Sequence, residues 1–498
     1  MKLNKIQSLI IKTAALVALC VANVYADTQD VTAAKPNIIF IFADDLGWGD
    51  ISKHGHPDIR TPNIDRLADE GSEFYQFSVS NPVCSPSRAA VMTGQYPARN
   101  NVHRHFAGLD HHKNFAMADW LDPRAVNMPT VMKAAGYKTA HFGKWHLGRN
   151  GAPEPISYGY DETAVFNGDG PQTTFVKLYD DAIDFMTRHK DEPFFINLWI
   201  HETHLPHDPS QESLDKYKHL SEQDRVYAAV VDGADQRIGK VLDALDELNL
   251  TDNTLMVFSS DNGPEHTGTV EQKFHGNRKE KNRSDRTAYG KYYSTGSSGG
   301  LRGGKRDTYE GGLRVPFIVR WPGQIPAGRT DTESIVSAVD LLPTFAEIAG
   351  ATLPEGYVSD GQSVLSLLKG GTIERNKPMF WEWRYGNKES KKDGKKPMLA
   401  VREGPWKLFV HQATNSVEPY VELYNVMHDR NETMNIADDH PDLVNSMKAL
   451  ALEWKATLPT EPAAHTLSPD RALPGTDEER KAARKENRKN KNKNKKSR

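Results

Sequence analysis

Residues 36–45 read Pro36-Asn-Ile-Ile-Phe-Ile-Phe-Ala-Asp44-Asp45. The apolar run is unbroken and of strand length, which marks a strand buried on both faces, as in a parallel sheet. It ends at two adjacent carboxylates. Residues that directly follow such a strand lie at the carboxyl edge of an open α/β sheet, where these folds hold ligands, and two like charges so close call for a cation. Gly47 and Gly49, interleaved with Trp48, shape the loop that follows. The same arrangement recurs downstream. Residues 192–200 carry Phe194, Phe195, Ile196, Leu198, Trp199 and Ile200 and end in His201-Glu-Thr-His204-Leu-Pro-His207, while 253–259 end in Ser260-Asp261-Asn262-Gly263. A strand over 137–142 runs into Gly143-Lys144-Trp145-His146. On an extended end, that spacing puts Lys144 and His146 on one face, where a cation and an acid–base group meet one ligand. A solvated lysine beside a packed histidine is the plainer alternative.

Helices fill the intervals. Thr61 caps a helix that Gly71 stops, a short helix starts at Met128 and stops at Gly136, and a long amphipathic one covers 221–248. Another covers 336–350, interrupted by Pro343. Residues 301–316, Leu-Arg-Gly-Gly-Lys-Arg-Asp-Thr-Tyr-Glu-Gly-Gly-Leu-Arg-Val-Pro, form a glycine-rich basic loop running into a strand over 317–321. Glycines let backbone approach an anion closely, and Lys305 supplies charge. Composition changes after residue 371, where 398–410 and 421–424 read as antiparallel strands with a helix over 442–458 packed on them. The expected division is an N-terminal catalytic unit over 27–370, a smaller α+β unit over 371–465 and a basic tail over 466–498. From Arg480 the tail is nearly all Lys, Arg and Asn, with Glu486 the only acid, and has too little to bury to fold. It is either a solvated end or a means of retention on an anionic polysaccharide. The polar stretch 271–300 reads as a surface loop that either rims a cleft or moves freely.

Residues 1–26 carry Lys2, Lys5 and Lys12, an apolar run over 14–21, and Val24-Tyr25-Ala26, the pattern of a cleavable export signal. The expected location is periplasmic or secreted. No later run reaches the ~20 apolar residues of a transmembrane helix. Net charge is −3 over 498 residues, so the chain as a whole does not advertise nucleic acid as a partner. Removing the signal takes Cys20 and leaves Cys84 as the only thiol. A solitary thiol in an exported protein calls for an explanation.

Cys84 opens Val83-Cys-Ser-Pro-Ser-Arg-Ala-Ala-Val-Met-Thr-Gly94. This reads as a turn delivering a helix, with Pro86 early in it and Ser85 and Ser87 able to hydrogen-bond the free amides of the first turn. The helix N-terminus and Arg88 favour an anion. A buried structural cysteine beside a capped helix is the alternative.

Cys-x-Pro-Ser-Arg, with its extension Ala-Ala-Val-Met-Thr-Gly, resembles the signature of the type I sulfatases. Thr203-His204-Leu-Pro resembles the family's leaving-group histidine, and Asp44, Lys144, His146, Asp261, Asn262 and Lys305 fall in the family's order. The resemblance spans roughly 36–458. It implies the fold of alkaline phosphatase, an α/β architecture with a large mixed sheet between helices and a small C-terminal antiparallel sheet with a helix. It implies a sulfuric ester hydrolase in which a maturation enzyme oxidises Cys84 to formylglycine, whose hydrate is the nucleophile. One Ca²⁺ would be held by Asp44, Asp45, Asp261, Asn262 and position 84. Carboxylates and an amide suit such a hard cation, which sets aside a zinc reading of the three histidines at 201–207. Arg88 would hold the hydrate with the ion, Lys144 and Lys305 neutralise the sulfate oxygens, His204 protonate the departing alcohol, and His146 take a proton from the second hydroxyl. A sulfated carbohydrate is the expected substrate. The competing readings are a phosphodiester or phosphonate monoester hydrolase of the same superfamily and a polysaccharide-binding protein with an inactive site. His103, Arg104, His105 and the 271–300 loop are candidate selectors of substrate.

Overall fold

Eight strands form one sheet in the computed structural model, which describes residues 35–149, 151–166, 172–205, 207–266, 294–384, 398–411, 418–472 and 479. They are β1 (Asn37–Ala43), β2 (Ser72–Ser78), β3 (Lys138–Lys144), β4 (Glu162–Phe166), β5 (Phe194–Trp199), β6 (Thr254–Ser260), β7 (Phe317–Arg320) and β8 (Arg329–Ser337). Their order across the sheet is β4-β3-β5-β1-β6-β7-β2-β8. β1 lies between the two other long apolar runs, parallel to both, with Phe40 opposite Asn197 of β5 and Val257 of β6. All seven of its residues are buried, as an unbroken apolar strand requires. Successive side chains alternate between two layers. Ile38, Phe40 and Phe42 share a core with Met92, Met132 and Phe345 of helices Cys84–Thr93, Met128–Ala134 and Leu341–Ala349. Ile39 and Ile41 share one with Leu67, Phe185 and Leu242 of helices Pro62–Asp69, Gln172–Arg188 and Glu222–Glu247.

β7 alone runs against the sheet, antiparallel to both β6 and β2. Its start therefore lies at the edge where the other strands end. The loop before β7 thus meets the loops after β1, β3, β5 and β6, and this brings the glycine-rich segment to the ligand edge.

A second sheet is antiparallel throughout, in the order β12-β11-β10-β9, from β9 (Met379–Glu382), β10 (Leu399–Glu403), β11 (Trp406–Val410) and β12 (Val421–Asn425). Leu399, Val401, Leu408, Val410 and Leu423 pack under helix Pro441–Ala456, whereas Trp381, Ala400, Phe409 and Tyr424 join the large core.

Three local expectations change. Residues 336–350 are not one interrupted helix: β8 extends to Ser337, a 3-10 turn covers Ala338–Asp340, and the helix is Leu341–Ala349, with Pro343 in its first turn, where its missing N–H costs nothing. Thr61 makes no side-chain cap. The amides of Asn63 and Ile64 are instead taken by the Asp235 carboxylate, 3.0 and 2.8 Å away, from helix Glu222–Glu247. β9 has no counterpart among the expected strands. The segment 1–26 expected to be an export signal, residues 271–293 of the polar loop and the tail from Arg480 lie outside the described residues. Among the described residues no helix is long and apolar enough to cross a membrane.

Gly143, one residue before the end of β3, has φ +115°, and a Cβ there would lie 2.0 Å from the carbonyl oxygen of Trp199 on β5. Gly143→Ala is expected to cost about 3 kcal/mol of stability, from overpacking plus left-handed strain, read as a lowered denaturant midpoint.

Candidate active site

Four adjacent strands end at one edge. Asp44 and Asp45 follow β1, Asp261 and Asn262 follow β6, Lys144 closes β3, and His201 and His204 follow β5. Helix Cys84–Thr93, buried along all ten residues, brings Cys84 at its first position and Arg88 one turn later. Lys305 arrives on the loop before β7.

These groups interlock. Arg88 donates from Nε to Asp261 Oδ2 at 2.9 Å and from Nη1 to the carbonyl of Lys144 at 3.0 Å, with its guanidinium 4.9 Å from the Trp199 ring centroid. Lys144 Nζ lies 2.5 Å from Asp44 Oδ2, which also accepts from His201 Nδ1. Lys305 Nζ lies 2.5 Å from Asp45 Oδ2, and Asn262 Nδ2 donates to Asp45 Oδ1 at 2.8 Å. The amide of Asp45, held at φ +65°, donates to Asp261 Oδ1 at 3.2 Å. His204 Nε2 lies 3.7 Å from Asp45 Oδ2, and its ring stacks on His201.

Lys144 and His146 do not share one face of an extended end, because His146 has φ +51° and the strand has already finished. The turn aims the two side chains differently. Lys144 meets Asp44, whereas His146 Nδ1 lies 3.2 Å from Cys84 Sγ and Nε2 lies 2.9 Å from the Phe106 carbonyl. Burial, reinforced by Lys144, holds the His146 pKa well below the usual range, so the ring is neutral. A neutral ring that donates Nε2–H to a carbonyl presents an unprotonated Nδ1 to position 84. His204, likewise depressed by burial and then by Lys144, places Nδ1 against the Leu205 carbonyl, which leaves Nε2 toward the carboxylates. Ser85 and Ser87 do not cap their helix: Ser85 Oγ accepts from the Phe106 amide at 3.0 Å and Ser87 Oγ donates to the Asn81 carbonyl at 2.6 Å.

The carboxylates differ. Burial alone would raise Asp44, but Lys144, His204 and His201 hold it well below the usual range. Burial raises Asp45 despite Lys305, and burial with the Asp44 charge lifts Asp261 to about 7. Burial also raises the Cys84 thiol, so an unmodified sulfur here is a poor nucleophile.

Comparison with known proteins assigns the chain to a family. Residues 36–351 match the Sulfatase family model, and residues 303–456 match that of N-sulphoglucosamine sulphohydrolase, C-terminal. The chain belongs to the sulfatase family. It is accordingly a sulfuric ester hydrolase with the fold of the alkaline phosphatase superfamily. The sulfatase is similar to N-acetylgalactosamine-6-sulfatase of Canis lupus familiaris, 31% identical over 77% of this chain and 73% of the relative. It is also similar to N-acetylgalactosamine-6-O-sulfatase of Bacteroides thetaiotaomicron, 28% identical over 88% and 96%. Among solved structures it resembles Ps i-CgsB in complex with k-i-k-neocarrahexaose, with a TM-score of 0.69, 27% identity and coverage of 86% and 96%.

Four contributors had not been singled out as site residues. His201 orients Asp44, Trp199 lies under Arg88, the Phe106 carbonyl fixes the His146 tautomer, and Glu265 lies 2.8 Å from Arg306 and 3.7 Å from Lys305. His201 was findable, because it follows a buried strand as Asp44 does. Phe106 was not, since a backbone carbonyl has no residue signature. Of His103, Arg104 and His105, only His105 is exposed, with its ring 6.4 Å from that of His146. His103 is buried with Nδ1 2.9 Å from Glu382, and the Arg104 guanidinium lies 3.8 Å from the Trp383 ring centroid. His207 is buried beside Tyr227, away from the contacts that join His201 and His204.

The donor set fits a hard divalent cation. Asp44 Oδ1, 3.8 Å from Arg88 Nη2, and Asn262 Oδ1 are buried without a hydrogen-bond partner, a cost that ligation of a cation would relieve. One ligand atom each from Asp44, Cys84 and Asp261 lie within 4.8 Å of one another. Oxygen donors from carboxylates and an amide suit a hard cation such as Ca²⁺ or Mg²⁺, while Asp44, His201 and His204 form a second group within 4.8 Å that mixes nitrogen with oxygen. A divalent cation at one hundred times its dissociation constant should stabilise chelator-treated protein by about 2.7 kcal/mol, seen as a higher melting temperature. Asp45→Asn combined with Asp261→Asn should abolish that response.

Proposed function

We propose that this sulfatase is an exported enzyme that removes sulfate esters from a sulfated carbohydrate, working with a formylglycine derived from Cys84 and one Ca²⁺. The observation that carries the reading is the burial of Cys84 at a helix start among three carboxylates, an amide and three cations. Three carboxylates and three cations nearly cancel, so a bound divalent ion leaves the pocket positive and suited to an anionic ester. The export signal in the sequence supports periplasmic or secreted location. A carbohydrate substrate is supported by the names of the N-acetylgalactosamine sulfatases and by the oligosaccharide bound to Ps i-CgsB.

Ca²⁺ held by Asp44, Asp45, Asp261 and Asn262 would supply Lewis-acid charge, and the hydrated aldehyde at position 84 a nucleophilic hydroxyl with a second one beside it. The chain's own groups account for the rest. Arg88, fixed by Asp261 and Trp199, provides charge that cannot be lost by deprotonation. Lys144 and Lys305 each pair with a carboxylate of the cation site; with those carboxylates engaged as metal ligands, both ammonium groups would be available to sulfate oxygens, where charge builds during displacement. His146, with Nδ1 unprotonated, accepts a proton at position 84. His204 serves the leaving alcohol. An anion in the cleft offsets the lysine charge that depresses His204, which lets it carry the proton it delivers. Oxidation of Cys84 requires a maturation enzyme as partner.

The test is release of free sulfate from a panel of defined sulfated oligosaccharides, with peptide mass mapping of position 84 in the same preparation. The expected result is turnover of one sulfated sugar class by protein carrying an aldehyde there. Fully active material with plain cysteine, or faster turnover of aryl phosphodiesters than of any sulfate ester, would overturn the proposal. His204→Ala should lower kcat by about 10²- to 10⁴-fold on sugar sulfates and far less on 4-nitrophenyl sulfate, whose leaving group needs no proton.

A further inference from the structure

We propose that the C-terminal sheet serves the reaction by holding the Lys305 loop, and that Lys407 is the positioning residue at its centre. The inference rests on Lys305 being a sulfate-binding group. β11 reads Trp-Lys-Leu-Phe-Val, and its register puts Lys407 beside Arg402 of β10 and Tyr424 of β12, on the face turned to the large core. Lys407 is 0% exposed. Its Nζ lies 2.7 Å from Glu310 and 3.1 Å from Glu432. Glu432 also accepts from the amide of Glu310 at 2.7 Å, and Glu310 pairs with Arg314. Gln76 of β2 ties Arg314 and Arg402 together.

Glu310 opens a short helical turn, Glu310–Leu313, that is locked to the site by backbone. Gly263, next to Asn262, donates to the carbonyl of Gly312 at 3.0 Å, and Gly311 donates to that of Arg302 at 2.8 Å. The amide of Lys305 donates to the Pro264 carbonyl at 2.9 Å. The approach is so close that a Cβ on Gly263 would lie 1.9 Å from the Gly311 oxygen. On the other side of Lys305, Arg302 donates to Glu422 at 3.1 Å and to the Tyr424 hydroxyl at 2.9 Å, and sits 3.7 Å over the Tyr309 ring. The second sheet therefore grips the loop on both sides of Lys305. Stability does not explain a charged lysine at this place, because a buried ion network is often no more stabilising than apolar residues of the same volume, whereas it does fix geometry.

The experiment uses the mature, cation-loaded enzyme and measures melting temperature, kcat and KM on 4-nitrophenyl sulfate, and inhibition by inorganic sulfate. Lys407→Met should lower kcat/KM by about 100-fold, the scale of a 1 Å misplacement, and weaken sulfate inhibition, with Lys407→Arg recovering part of both. Met447→Ala, a cavity under the helix on the sheet's other face, should lower the melting temperature without changing sulfate inhibition. Folded Lys407→Met with kcat/KM and sulfate inhibition within about twofold of wild type would overturn the inference. If Lys407→Met does not fold, Arg302→Ala decides: weakened sulfate inhibition supports the clamp and unchanged inhibition overturns it. Lys305→Ala separates the two levels. Unchanged sulfate inhibition in that variant removes both the site reading and the clamp, while loss there with no change in Lys407→Met removes the clamp alone.

Discussion

Three buried carboxylates crowded at the ends of two neighbouring strands are the constraint to which the rest of the molecule answers. Asp44, Asp45 and Asp261 repel one another in a medium that screens them poorly, and that arrangement is tolerable only with positive charge fixed among them. Arg88, Lys144 and Lys305 each come from a different part of the chain to provide it. A wholly buried helix, the end of β3 and the loop before the one reversed strand are thereby drawn to a single point. A site assembled in this way is rigid before substrate arrives. Rigid charge in a water-poor cleft stabilises a sulfuryl transition state better than mobile charge in bulk water does.

Much of this was legible in the sequence, and the reasons are specific. β1, β5 and β6 announce themselves because a strand buried on both faces cannot alternate, and the chemistry at their ends then follows from the topology. The residues from Asp44 to Lys305 stand after strands, near a helix start or in a glycine-rich loop, but it is the resemblance to the type I sulfatases that orders them into one site. What escaped was local backbone geometry. The positive φ of His146 redirects its ring, and nothing in Gly-Lys-Trp-His fixes that angle. The serines beside Cys84 had free amides of their own to cap, yet tertiary partners took both hydroxyls. Pro343 looked like an interruption only while the strand before it was counted as helix. Lys407 was invisible for another reason: a single lysine in Trp-Lys-Leu-Phe-Val reads as the solvated position of a strand, and sequence alone does not reveal that its face is covered.

The two sheets divide the work by geometry. Seven strands running one way gather the loops that follow them at one edge, while the reversed β7 adds a loop that precedes it. Without that reversal Lys305 would lie at the opposite end of the molecule from Asp45. The small sheet lies outside this frame, but its inward face carries charge that meets the same loop, so the two cores are joined through polar contacts as well as through apolar packing.

The burial of the helix that begins at Cys84 has a consequence for the order of events in the life of the chain. All ten of its residues are enclosed, and the sulfur is covered by His146 and the carboxylates. A second protein cannot reach that side chain once the sheet and its helices have closed. Under the proposed formylglycine reading, conversion of Cys84 would have to come before the fold closes, and the converting enzyme would read an extended stretch of chain around it; protein that closed first would keep a plain thiol there.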